Sequence, residues 1–164
     1  TTRDRDLFVY DYSYLYNEPW FFASEVSFER DPIIQLDSRV IISAGIGNDL
    51  IVTPRKELRV KLSAGYQTEE IDTGTADSSV AVWNLRYRHD FFGDDLSFIH
   101  NHSITYNLSG RTNTSYKTST GFTYEITDLL YANTTLNYDY ETEPVAPAGN
   151  DNVSLVLGFG LEFE

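Results

Sequence analysis

Residues Glu57 to Glu70 read ELRVKLSAGYQTEE. Leu58, Val60, Leu62, Ala64 and Tyr66 take the even positions, while Arg59, Lys61, Ser63, Gly65, Gln67 and Glu69 take the odd ones. Strict two-residue alternation is the signature of a β-strand, because successive side chains point to opposite faces of a sheet. Held over about a dozen residues at roughly 3.3 Å each, with a tilt of about 40°, the strand covers roughly 30 Å, the depth of a bilayer's hydrocarbon core. Strands of soluble domains are typically about five or six residues long. With one face apolar and the other charged, this strand separates a greasy medium from a wet one.

The rest of the chain repeats the pattern. Strands are predicted over Leu7–Tyr16, Trp20–Arg30, Arg39 to about Val52, Glu57–Glu70, Ser79–Phe91, Leu96–Leu108, Ser115–Ile126, Leu129–Glu141 and Asn152–Glu164. Phe8, Tyr10, Tyr12, Tyr14 and Tyr16 share one face of the first strand, and Val40, Ile42, Ala44, Ile46 and Leu50 one face of the third. Tight turns are expected at Asn17-Glu18-Pro19, Thr53–Lys56, Gly93-Asp94-Asp95 and Thr127-Asp128. Longer loops are expected at Asp31–Asp37, Ile71–Ser78, Ser109–Thr114 and Thr142–Asp151. Short and long connections thus alternate, as periplasmic turns and extracellular loops do in outer-membrane barrels, which places the C-terminus in the periplasm. The fold class expected is all-β, an antiparallel up-and-down transmembrane β-barrel with nine visible strands. Closed single-chain bacterial barrels normally use an even number, so an odd number of strands is expected before Thr1.

Composition agrees with this reading. The chain has 164 residues, no Cys and no Met, which reads as a processed form or a fragment with neither a disulfide framework nor a thiolate metal site. No apolar run is long enough for a transmembrane helix, which leaves a barrel open. A net charge of −13, from 12 basic and 25 acidic residues, argues against nucleic acid as a partner. A soluble Tyr-rich sandwich or a lipocalin-like barrel is the competing architecture, and the strand lengths count against it.

Several stretches carry a family resemblance: GIGNDLIVTPRKELRVKLSAGYQTEE (Gly45–Glu70), SFERD (Ser27–Asp31), TGFTYEITDLLYANTTLNYDYETEP (Thr120–Pro144) and the closing GFGLEFE from Gly158. Together they resemble the salt-induced outer-membrane protein family, whose domain (domain of unknown function 481) has no assigned function. The resemblance covers most of residues 7–164. It implies an outer-membrane barrel, roughly three further strands before the first one here, hence twelve in all, and no catalytic residues. One departure is Glu164 after Phe163, where outer-membrane barrels usually end on an aromatic.

Two constellations are candidates for function. The first is the set of charges in the polar phase of the strands, with Glu25, Arg39, Arg59, Lys61, Arg86, Arg88, Glu125 and Asp139 as its principal members, joined by Glu29, Asp49, Lys117, Glu141 and Glu162. Inward charges need partners or water, so they form either a lumen closed by ion pairs or the wall of a wet channel. In a channel, Arg59, Lys61, Arg86 and Arg88 are the expected selectivity groups. The second is His89, His100 and His102, which share the apolar phase. They are candidate contacts for a partner protein or a lipid headgroup, or members of an aromatic girdle with Trp83, Phe91 and Phe98. No Ser lies two residues from any of them, so a same-strand Ser–His dyad is not formed. His100 and His102 could offer two metal ligands, but no third is evident.

These readings converge on residues 1–164 as a single, non-enzymatic outer-membrane barrel domain of a Gram-negative envelope, structural or acting as a narrow pore for small solutes or ions. A membrane anchor or docking barrel within a multi-protein assembly is the alternative, and a lipid-modifying enzyme a third. Outer-membrane lipid and lipopolysaccharide are the expected surroundings, with a protein partner in the outer membrane or periplasm under the docking alternative. No cofactor, metal or catalytic residue is expected.

Overall fold

Each alternating segment leaves a row of backbone N–H and C=O groups on both of its edges, and the nearest segment in the chain satisfies them. The computed structural model describes residues 6–32, 36–71, 74–92, 95–110, 112–127, 130–144 and 149–161. Its strands are β1 (Asp6–Asn17), β2 (Trp20–Asp31), β3 (Leu36–Thr53), β4 (Lys56–Ile71), β5 (Gly74–Phe91), β6 (Leu96–Asn107), β7 (Thr114–Thr127), β8 (Leu130–Glu141) and β9 (Asp151–Leu161). They form one nine-stranded sheet in the order β1 to β9, every strand antiparallel to its neighbours in the chain. Among the described residues there is no helix, and β1 and β9 are the two edges of the sheet rather than partners of each other.

The sheet is curled. Lys117 of β7 reaches Glu29 of β2 at 2.7 Å, and Arg39 of β3 reaches Glu141 of β8 at 2.8 Å. A flat sheet would hold these pairs apart by the several strands between them, at about 4.8 Å per strand. The polar phase lies on the concave face. Glu69 is 1 % exposed and Asp31 2 %, and Gln67, Ser78, Asn107 and Asn113 are also buried. The apolar phase lies on the convex face, where Phe8 is 63 % exposed, Leu157 71 % and Phe159 79 %. Relative to a water-soluble domain, the molecule is inverted.

A small apolar core does exist inside, made by Phe21, Ala23, Leu36, Val80 and Val82. Phe21 lies over Gly47, its register partner on β3, where an added Cβ would come within 2.2 Å of the ring. The Arg59 guanidinium covers the same ring, 4.7 Å from its centroid. Tyr131 stands over Gly160 on β9 in the same way. These glycines are places where an aromatic ring of the adjacent strand occupies the volume a side chain would need.

Strand limits differ from the sequence-based expectation chiefly at β5. The stretch Ile71–Ser78, expected as a loop, is largely strand: β5 begins at Gly74, and Glu70 pairs with Thr75. Thr75, Ala76, Asp77 and Ser78 carry no apolar alternation, because this part of the hairpin extends past the greasy band. It is held by its ladder and by cross-strand contacts such as Thr68 Oγ1 to Asp77 Oδ1 at 3.0 Å. The β4–β5 connection is therefore residues 72–73, and the regular alternation of short and long loops is broken there. The longest connections, 108–113 and 142–150, still lie at that end of the sheet. Residues 1–5, the 93–94 and 128–129 turn positions, Pro147, and the closing Glu162, Phe163 and Glu164 lie outside the described residues.

Gly47→Ala is expected to destabilise the fold by about 1–3 kcal/mol, since the buried Phe21 ring is held between β3 and Arg59. In a Phe21→Ala background the same substitution should cost much less. Denaturant unfolding of the four variants in detergent micelles measures that coupling.

Candidate functional site

The concave face sorts its charges into three groups along the strands. Nearest the long connections, Arg39 is buried and surrounded by carboxylates from three strands. Its Nε donates to Glu69 Oε1 at 2.6 Å, and its Nη1 lies 3.3 Å from Glu29 Oε2 and 2.8 Å from Glu141 Oε1. Glu29 and Glu69 are its register neighbours on β2 and β4, so local pairing brings them together. Glu141 comes from the opposite wall. Lys117 Nζ adds a second link across the concave face to Glu29. The loop after β6 is tied into this group: Asn113 is buried, donates through Nδ2 to Glu141 Oε2 at 3.3 Å, and accepts from Glu143 N at 3.1 Å.

At mid-height, Lys61 of β4 bonds Asp11 of β1, and its Nζ lies 3.3 Å from Glu25 Oε2 of β2. Nearest the tight turns, Arg59 grips Asp49 with two hydrogen bonds, Nε to Oδ1 at 2.6 Å and Nη2 to Oδ2 at 3.0 Å. There Arg88 binds Asp90 through Nε to Oδ1 and Nη2 to Oδ2, each at 3.0 Å, and Ser97 Oγ donates to the same carboxylate at 2.6 Å. Between the groups lies a cavity of about 730 Å³. Glu25, Arg39, Arg59, Lys61, Arg86 and Asp139 line it, whereas Arg88 and Glu125 do not. The residues that the sequence analysis did not single out include Asp11, Glu69, Asp90 and Asn113. Asp11, Glu69 and Asp90 sit in the polar phase of their strands and were open to the same argument. Asn113 lies in a loop, where periodicity carries no signal.

The histidines lie in the opposite phase of their strands, although His102 also borders the cavity. His100 and His102 pair in register with Tyr87 and Leu85 on one side and with Thr120 and Thr118 on the other. Their Nδ1 atoms are 2.8 and 2.9 Å from the Thr120 and Thr118 hydroxyls. Among the described residues neither ring meets a Ser or a carboxylate, and no cluster of three or more His, Cys, Asp or Glu could hold a metal. His89 stacks on Phe91 with ring centroids 3.8 Å apart.

Fold and site together define an antiparallel meander whose greasy convex face surrounds a concave face of paired charges. The family described as "Protein of unknown function, DUF481" matches residues 1–164, and the chain belongs to that family. No curated protein and no solved structure matches the chain.

Replacing Arg39 by Met removes the guanidinium that Glu29, Glu69 and Glu141 share, and should cost about 3–5 kcal/mol. Arg30→Met, at an exposed pair with Asp6, should change stability by less than about 0.5 kcal/mol. Urea titration of both variants in micelles compares the two.

Proposed function

We propose that this chain forms an outer-membrane β-barrel of a Gram-negative envelope, non-enzymatic, enclosing a narrow aqueous lumen that admits small solutes or ions. The observation that carries the reading is the inversion of polarity. A convex face of exposed Phe, Tyr, Leu, Ile and Val runs across β1–β4 and β6–β9, with Trp83, Leu85 and Tyr87 half-buried on β5, while Glu, Asp, Arg and Gln are buried on the concave side. Water is a poor solvent for such a convex face, and lipid hydrocarbon a good one. In hydrocarbon an unpaired strand edge is untenable, so the proposal includes pairing of the free β1 and β9 edges in a closed barrel.

The links from Arg39 to Glu141 and from Lys117 to Glu29 cross the concave space close to the long connections. They support a constricted passage rather than a wide pore, with the cavity between that crossing and the tight-turn end. The docking alternative draws less support, because His100 and His102 direct Nδ1 to neighbouring threonines of their own sheet. Those same contacts favour a non-enzymatic reading, since the imidazoles brace β6 against β7. Lipid and lipopolysaccharide would then be the surroundings of the convex face.

Two measurements test this. Leu62→Arg, on the convex face of β4, should destabilise the protein in bilayers by about 2–4 kcal/mol. A protein that is monomeric in water without detergent and ignores vesicles would sink the membrane reading. In planar bilayers the wild type should pass a small current, and Glu141→Ala, which removes one crossing link, should raise it. An unchanged current in that variant would mean that the ion pairs do not set the constriction.

A further inference from the structure

Resting on the reading of the concave face as an aqueous lumen, we infer that the β5–β7 wall holds a binding site for a small oxyanion, carboxylate or phosphate, centred on Arg86. On the concave face Arg39, Arg59, Lys61, Arg88 and Lys117 each have a carboxylate partner. Among the described residues Arg86 is the concave-face cation with no ion pair and no side-chain hydrogen bond. Its register partner on β4 is Arg59, another guanidinium. Like charges set directly opposite each other in a sheet are unfavourable, and an anion bound beside them offsets the repulsion.

What surrounds Arg86 suits such an anion. Across β6 and β7 its register row continues with Asn101 and Ser119. The adjacent row places Asn84 opposite Ser103, and Ser103 opposite Lys117. All of these line the cavity. Asn84, Asn101, Ser103 and Ser119 make no side-chain hydrogen bond among the described residues, so their amide and hydroxyl donors are open to a ligand. The carboxylates in these rows are Asp49, held by Arg59, and Asp139, the register partner of Lys117. A guanidinium fork flanked by neutral donors matches the two coplanar oxygens of a carboxylate or a phosphate, and would repel a metal cation. The cavity, about 730 Å³, is within the usual range for a small-molecule site, roughly 300–1,000 Å³.

The test titrates inorganic phosphate and, separately, succinate into the full chain in detergent at low ionic strength, by calorimetry. Low salt matters because Arg86 is exposed to the lumen and its charge is screened. Saturable binding is expected, weakened at least about tenfold by Arg86→Gln and less by Arg86→Lys, which keeps the charge but loses the fork. Arg88→Gln, at a cation already paired to Asp90 and outside the cavity, should leave the affinity within about twofold. Tighter binding of phosphate or of succinate identifies which oxyanion the site prefers. Absence of binding by the wild type, unchanged affinity in Arg86→Gln, or equal loss in Arg88→Gln overturns the site.

A companion measurement separates this from the lumen reading itself. The chain has no Cys, so Arg86→Cys and Val60→Cys are single-thiol reporters in vesicles. A charged, water-soluble thiol reagent should label the first and not the second. Labelling without anion binding overturns the site and leaves the lumen standing. An unlabelled Arg86→Cys overturns both.

Discussion

A guanidinium taken out of water must be surrounded by anions, and Arg39 shows how far that requirement reaches. Glu29 and Glu69 come to it from the adjacent strands through ordinary register pairing, and Glu141 comes from β8 on the far wall. Desolvating so many charges is costly, and the cost is offset only when geometry is good and hydrogen bonds are complete. The Nε–Oε1 contact of 2.6 Å to Glu69 and the capping amide of Asn113 on Glu141 offset part of that cost, while Arg39 Nη2 is buried without a hydrogen-bond partner among the described residues. Because the partners lie on opposite walls, the sheet has to curl to bring them together. The direction of the curl then puts the polar phase inside and the apolar phase outside.

With charges inside, ordinary hydrophobic collapse cannot be what closes the concave face. The apolar residues that do lie there work as local fillers. Phe21 over Gly47 and Tyr131 over Gly160 each seat an aromatic ring in the space left by a missing side chain. Arg59 joins the two modes, since it covers the Phe21 ring with its guanidinium while holding Asp49 with the same group. Packing and electrostatics therefore share residues near the tight-turn end, whereas ion pairing dominates near the long connections. The two ends of the concave face differ in what holds them.

The candidate site was legible in the sequence as a set and not as an arrangement. Alternation assigned Glu25, Arg39, Arg59, Lys61, Arg86, Arg88, Glu125 and Asp139 to one phase, and the structure pairs these strands in register apart from bulges near their ends. It could not separate Arg59 and Arg88, which are committed to Asp49 and Asp90, from Arg86, which is not. Nor could it tell that Glu125 and Arg88 stand outside the cavity that the others line. The β4–β5 hairpin failed as a sequence reading for a related reason. Once a strand leaves the apolar band neither face has to be apolar, so Thr75 to Ser78 show no period although their backbones are paired.

Alternating side chains, turn residues between runs, and the absence of any helical period were enough to decide the all-β class, the strand order and the face on which each residue falls. Those are properties of neighbours in the chain, and a period of two is a local fact about the extended backbone. Pairs such as Asp49 with Arg59, or Glu29 with Arg39, follow from hairpin register and are local in the same sense. The pairs that join non-adjacent strands across the concave face, Arg39 with Glu141, Lys117 with Glu29, and Lys61 with Asp11, depend on curvature accumulated over several strands. No short window of sequence carries that sum, so which charges meet, which are left free, and where the cavity lies are decided only when the whole sheet bends.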